Sequence, residues 1–199
     1  MEGIFFIWIA WIIFVILTFF YNPSTNRNSN ILHVLMLIIL SPYTFIIPSS
    51  SIDVNCSALY LILMLFFYSR NFEFKQFLHL FISSLIIGLC IASFGIFAMI
   101  DPVWILFDPT WMLTIILLYL SIILVYRWNL RMLSLLLGMV VGELLMFMAV
   151  YRLGLPYQPF SSEWLDQLAK VGAGSMIWRL FELSASVITQ TRSAAKKEV

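Results

Sequence analysis

The sequence predicts an all-α fold, a polytopic membrane bundle of seven helices with its amino end outside and its carboxyl end in the cytoplasm. Three observations carry this. Of 199 residues, 62% are hydrophobic and 11% charged, where soluble domains hold roughly half and a quarter. Mean hydropathy is +1.00. The apolar residues also gather into runs of a length that crosses a hydrocarbon core about 30 Å thick. So little chain is left between the runs that residues 1–199 form a single membrane domain. Any site must therefore be built from helices and short loops.

The first span is Ile4–Tyr21, carrying Trp8 and Trp11. No Lys or Arg precedes it and no small-residue cleavage site follows, so it is expected to be a retained helix. The polar run Asn22–Asn30 ends it by Pro and Asn turn chemistry. In the second span, Ile31–Ile47, Ser41-Pro42 is expected to kink the helix. Pro48–Asn55 is a short loop before the third span, Val54–Tyr68, and Arg70, Glu73 and Lys75 mark the next connection. The fourth span, Phe77–Ile100, carries Ser84, Gly88, Ala92 and Gly95 at steps of four, four and three. Such a small-residue face lets another helix approach closely.

Asp101-Pro102-Val103-Trp104 is then echoed by Asp108-Pro109-Thr110-Trp111. Asp at an N-cap with Pro at the first helical position is a helix-start signal. The first copy reads as an interfacial turn and the second as the start of the fifth span, Thr110–Tyr126. A paired-carboxylate cation site is the sharper alternative. The sixth span, Met132–Tyr151, holds Gly138 and Gly142 in a GxxxG pattern, with Glu143 near its midpoint. The long connection 152–170 contains Pro156 and Pro159, and its polar part Ser161–Lys170 is expected to form a short helix on the membrane surface. Val171–Thr191 is the last hydrophobic helix, and 192–199 a cytoplasmic tail.

Within that helix Ser175, Arg179, Glu182, Ser186 and Thr189 fall on one stripe at steps of four, three, four and three. Its charges favour a surface position, because a mid-membrane charge costs ~2.5–3.5 kcal/mol on insertion scales. The distribution of basic residues favours a seventh span. With seven spans, Arg27, Arg70, Lys75, Arg127, Arg131, Arg192, Lys196 and Lys197 are cytoplasmic, and only Arg152 and Lys170 lie outside. With six, Arg152, Lys170, Arg179, Arg192, Lys196 and Lys197 would lie outside against five inside, and the bias vanishes. The acids Glu2, Asp53, Asp101, Asp108, Glu163 and Asp166 face outward in the seven-span arrangement.

Depth counting at ~1.5 Å per residue places Glu143 and Arg179 at nearly one level, with Glu182 a turn away. These three form the candidate buried polar cluster. As a structural lock, Arg179 forks onto one or both carboxylates and fixes how the last two helices pack. Two acids and one base also leave one carboxylate over, which would be protonated or bind a cation, as in a proton- or cation-coupled transporter. An enzyme lacks its inventory. The histidines, His33 and His79, stand at helix starts, and no HExxH, CxxC, phosphate loop or nucleophile elbow occurs. Cys56 and Cys90 sit in apolar segments and read as buried thiols. No cofactor or metal is expected. With a net charge of +1, neither is a nucleic-acid partner. The expected partners are the lipid bilayer and another membrane protein or a second copy. A structural, assembly or accessory component is the leading reading.

The opening Met1-Glu2-Gly3-Ile4-Phe5-Phe6, running into a Trp-bearing helix that ends Phe19-Phe20-Tyr21, resembles the YphA-type membrane proteins of Bacillus-like bacteria. The chain length near two hundred fits as well. The resemblance spans the whole chain and implies a bacterial plasma membrane. It assigns no activity, and no functional residues carry over from it.

Overall fold

A computed structural model describes residues 3–20, 25–47, 52–70 and 72–195, without the side chains of 25, 26, 47 and 188–195. The described chain forms α1 (Ile4–Phe19), α2 (Thr25–Leu40), β1 (Thr44–Ile47), β2 (Ile52–Asn55), α3 (Cys56–Ser69), α4 (Phe74–Ile100), α5 (Pro109–Leu124), α6 (Trp128–Arg152) and α7 (Ser162–Ala195). The seven helices make the fold all-α in character, with one small hairpin.

Pro42 ends the second helix instead of kinking it. A residue before proline is pushed out of the helical region, and the chain turns at Ser41-Pro42, with the Tyr43 N–H on the Leu40 carbonyl at 3.1 Å. The freed Ser41 carbonyl accepts from Asn55 Nδ2 at 2.9 Å, which draws the expected loop into an antiparallel hairpin, Thr44 opposite Asn55 and Ile47 opposite Ile52. Asn55 also caps α3 by accepting the Ser57 N–H at 2.8 Å. The doubled Asp-Pro signal behaves as a turn and a helix start. Asp101 caps the single 3-10 turn Pro102–Trp104, and Asp108 caps α5 through the N–H groups of Thr110 and Trp111.

α7 differs most from expectation. It begins at Ser162, nine residues before Val171, and runs 34 residues to Ala195. The polar stretch 161–170 is therefore its first turns, not a surface helix, and Trp164, Leu165, Leu168 and Ala169 within it are buried in the core. Burial is possible because its polar groups find partners on other helices. Asp166 accepts the backbone N–H groups of Gly3 and Phe6, each at 2.8 Å, and so caps α1 from across the fold. Gly3 has φ 86°, a left-handed conformation that suits glycine. Gln167 donates to the Thr110 carbonyl and the Thr114 hydroxyl, both at 3.0 Å. The Phe160 carbonyl, just before α7, accepts the Asn55 N–H at 3.1 Å. The starts of α1, α3, α5 and α7 thus lie together at one end of the bundle, called the upper end below, and successive helices alternate in direction.

The central seam joins α4 to α6, which run parallel. Ser84 and Gly88 of α4 meet Gly138 and Gly142 of α6, Gly95 faces Met146, and Ala92, between Gly88 and Gly95, is buried. A Cβ on Gly138 would fall 2.5 Å from Ile87 Cγ2, on Gly142 2.7 Å from Ile91 Cβ, and on Gly88 2.8 Å from Val141 Cγ1. Glycine is what permits this approach. The small face of α4 is covered by the chain's own α6 and is not a surface offered to another protein. Buried serines of α5 and α6 bond within their own helices, Ser121 to the Leu118 carbonyl at 2.8 Å and Ser134 to the Arg131 carbonyl at 2.9 Å, while Ser57 of α3 bonds the Leu37 carbonyl of α2 at 2.7 Å. The outside, in contrast, carries exposed Trp8, Phe66, Phe81, Tyr119, Leu180 and Phe181. An apolar exterior over an interior holding hydroxyls is a surface made for lipid. Two of the described helices, α4 and α6, are long and apolar enough to cross a membrane.

Candidate functional site

The polar cluster expected at one level is divided between the two ends. α6 places Glu143 twelve residues, or ~18 Å, beyond Arg131. Because α7 starts at Ser162, Arg179 lies seventeen residues into it, ~26 Å from its start. Glu143 lies level with that start, so it meets neither Arg179 nor Glu182.

At the lower end, Glu182 Oε1 accepts from Arg131 Nη1 at 2.8 Å and from Trp178 Nε1 at 2.9 Å, and Oε2 accepts from Arg179 Nη1 at 3.1 Å. Arg131 was expected in a cytoplasmic loop. It is instead four per cent exposed inside α6. Its Nε and Nη2 donate to the carbonyls of Val125 and Tyr126, at 2.9 and 3.2 Å, satisfying the last orphan groups of α5. Along the stripe, Ser175 is buried and bonds the Val171 carbonyl, while Ser186 bonds that of Leu183. The side chain of Thr189 lies outside the described residues, as do Glu2, Lys196 and Lys197.

At the upper end a cavity of about 560 Å³ opens between α4, α5, α6, the 153–161 connection and the first turns of α7. Volumes of ~300–1,000 Å³ are typical of small-molecule pockets. Its polar wall is Thr110, Glu143, Tyr157, Gln158, Ser161, Glu163 and Gln167, and its apolar wall includes Ile91, Leu113, Met139 and Trp164. None of the lining residues is Lys or Arg. Glu143 is six per cent exposed. Its Oε1 accepts from the Tyr157 hydroxyl at 3.0 Å and from the Phe160 N–H at 3.1 Å. Neither partner is a base.

The backbone is bent to make this contact. Phe160 has φ 55°, a left-handed value uncommon for a bulky residue and costing about 1–3 kcal/mol. Its N–H reaches Glu143, its carbonyl holds Asn55, and its ring packs edge-on to Trp164 at 5.2 Å. Burial first, and then the charge and hydrogen bond of Glu143, raise the Tyr157 phenol above its ordinary pKa. Tyr157 therefore stays a donor. Gln167, eight per cent exposed, makes its bonds to Thr110 and Thr114 through its amide nitrogen, and its buried Oε1 has no partner among the described residues. The Thr110 carbonyl can only accept, which fixes the amide in that orientation. Nearby, Lys170 Nζ donates to the Thr110 hydroxyl at 2.6 Å and lies over the rings of Phe5 and Trp111. The Thr110 hydroxyl bonds Asp108, and with the backbone donors and the charge of Lys170 it holds the Asp108 carboxyl below the usual range.

Of the polar residues that line the cavity the sequence singles out Glu143, and beside it Asp108 as a helix start or half of a carboxylate pair with Asp101. Glu163, Asp166, Gln167 and Lys170 recur at helical spacing, and no proline follows Pro159. That was the signal that the last helix starts early. Nothing comparable marks Tyr157, Phe160 or Arg131. Among the described residues no group of three His, Cys, Asp or Glu side chains stands close enough to hold a metal ion.

No curated protein and no solved structure matches the chain. A family model described as YphA-like integral membrane protein matches residues 2–199. Nearly the whole chain is covered, and the apolar exterior is what such a protein needs, so the chain belongs to the YphA-like integral membrane protein family.

Proposed function

We propose that this is a seven-span, non-enzymatic accessory component of a bacterial plasma membrane, with its amino end outside, that works by binding a small cationic group in the upper cavity. The alternation of helix direction and the gathering of Arg70, Lys75, Arg127, Arg131 and Arg179 toward the lower end support that orientation, by the excess of basic residues on the cytoplasmic side. The observation that carries the binding reading is Glu143. It is a buried carboxylate in a cavity wall without a base, and it stands with Glu163 and the partnerless Gln167 oxygen. A wall of acceptors with aromatic neighbours is receptive to an ammonium group.

The test is titration of the purified parent and Glu143→Gln with ethanolamine, choline and sodium, read by binding heat and melting temperature. The reading expects one of these cations to raise the parent's melting temperature and to lose at least tenfold in affinity in Glu143→Gln. Equal responses of parent and variant, or no response to any of the three, would overturn it. Association with another membrane protein or a second copy belongs to the same proposal and is checked by co-purification in mild detergent.

A proton- or cation-coupled transporter is the second reading, favoured by the position of Glu143 nine residues below the end of α6. It requires pH- or Na⁺-dependent flux in proteoliposomes that Glu143→Gln abolishes. Flux equal to that of empty vesicles sinks it.

A further inference from the structure

A second cavity, of about 390 Å³, lies at the opposite end of the bundle. It is bounded by the α3–α4 connection, the first turns of α4 and α6, and the side of α7. Its polar and aromatic lining is Tyr68, Gln76, Arg127, Trp128, Asn129 and Arg179, and no lining residue is acidic.

The charges around it do not balance. Glu182 is the carboxylate that the arginines here bond, and it is shared by Arg131 and Arg179. Arg131 is spent, since its three bonding nitrogens are held by Glu182 and two backbone carbonyls. One bonded carboxylate serves three arginines, Arg131, Arg179 and Arg127, and Arg127 and Arg179 are the pair at the cavity wall. Arg179 lies over the Trp128 ring, with Cζ 5.7 Å from its centroid, which keeps the guanidinium plane fixed while part of its donor fork stays free. The Arg127 side chain makes no hydrogen bond or ion pair among the described residues, its backbone carbonyl alone accepting, from the Arg131 N–H at 2.9 Å. Arg127 is also the N-cap of α6 and contributes no side-chain cap bond, so the first N–H groups of α6 add to the positive field.

Two guanidinium groups in a cavity of this size match the geometry of a phosphoryl group, which arginine holds through paired N–H donors. The rim is aromatic, as at a membrane interface, and the adjoining stretch of α7 exposes Leu180 and Phe181. We propose that this cavity binds a phosphoryl group, supplied by the headgroup of an anionic phospholipid whose acyl chains lie along the exposed side of the helices. Basic pockets between membrane helices take headgroups in this way. The site does not depend on what the upper cavity binds.

The test uses the full chain in a neutral detergent, titrated with dihexanoyl phosphatidylglycerol, dihexanoyl phosphatidylcholine and inorganic phosphate, with Kd and melting temperature read together. The expected result is saturable binding of the phosphatidylglycerol at least tenfold tighter than of the phosphatidylcholine. Arg127→Gln and Arg179→Gln each weaken it about tenfold, and Arg152→Gln, at the upper end, leaves it unchanged. The Arg127 side chain makes no hydrogen bond or ion pair within the described residues, so its variant reports on binding even if Arg179→Gln is unstable. Inorganic phosphate binding as tightly as the lipid would keep the phosphoryl site but overturn the lipid as its source. Equal binding of the two lipids, or an unchanged Kd in Arg127→Gln, would overturn the site.

Discussion

Arg131 on α6 donates to Glu182 on α7 across 2.8 Å, and the two differ sharply in burial, with side chains five and thirty per cent exposed. That asymmetry sets the first prediction. Removing the guanidinium in Arg131→Gln unpairs the carbonyls of Val125 and Tyr126 as well as the ion pair, and each buried acceptor left unmade costs about 1–3 kcal/mol. Arg179 reaches the same carboxylate from a side chain 39% exposed, and such pairs contribute about 0–1 kcal/mol. Melting in detergent should therefore fall steeply for Arg131→Gln and little for Arg179→Gln. The reverse order would put the lock on the wrong arginine.

The helix seam gives the second. Gly138→Ala drives a Cβ into Ile87 and within 3.2 Å of the Ser84 carbonyl oxygen, and overpacking of that kind costs about 1–3 kcal/mol. Ile87→Ala in the same chain should restore part of the loss. Gly172→Ala, where a Cβ meets nothing within 4 Å, should leave stability unchanged or raised by up to ~1 kcal/mol, glycine being a poor helix former. Melting temperatures of the three variants check the order.

Asp166→Ala should loosen α1 alone. Loss of an N-cap costs about 0.5–2 kcal/mol, and the two amides affected are those of Gly3 and Phe6. Hydrogen exchange should speed up in the first turn of α1, with α4 and α6 unchanged. Uniform acceleration would mean that the carboxylate supports more than the cap.

The Tyr157 phenol is held above its ordinary value of about 10. A group whose pKa is raised by folding contributes stability that is complete below its unfolded value and is lost as pH climbs toward the folded one. The melting temperature of the parent should then decline more steeply above pH ~10 than that of Tyr157→Phe. Parallel decline of the two would show that Tyr157 is not the group responsible.

Local chemistry was readable in the sequence. Asp108-Pro109 starts a helix because the cap needs only its own next residues, and the Gly88 and Gly138 faces are visible as spacing. What the sequence hid were polar groups satisfied from a distance. Asp166, Gln167 and Lys170 look like a wet surface until α1 and α5 are placed against them. Arg131 looks like a loop cation until the end of α5 is seen to need donors. Counting depth from Val171 rather than Ser162 moved Arg179 up by nine residues, ~13 Å. The earlier start of α7 is what separates Arg179 from Glu143.

The clasp between Asp166 and the start of α1 joins residues 163 and 160 positions apart. Chains emerge from the ribosome at roughly 5–20 residues per second, so the first helix is made well before its cap exists. Until α7 is delivered, α1 keeps open amides, Arg131 lacks its carboxylate and the upper cavity lacks a wall. α7 is thus made after every element that it closes, and a ribosome stalled before Ser162 would leave an unfinished bundle for quality-control proteases to recognise.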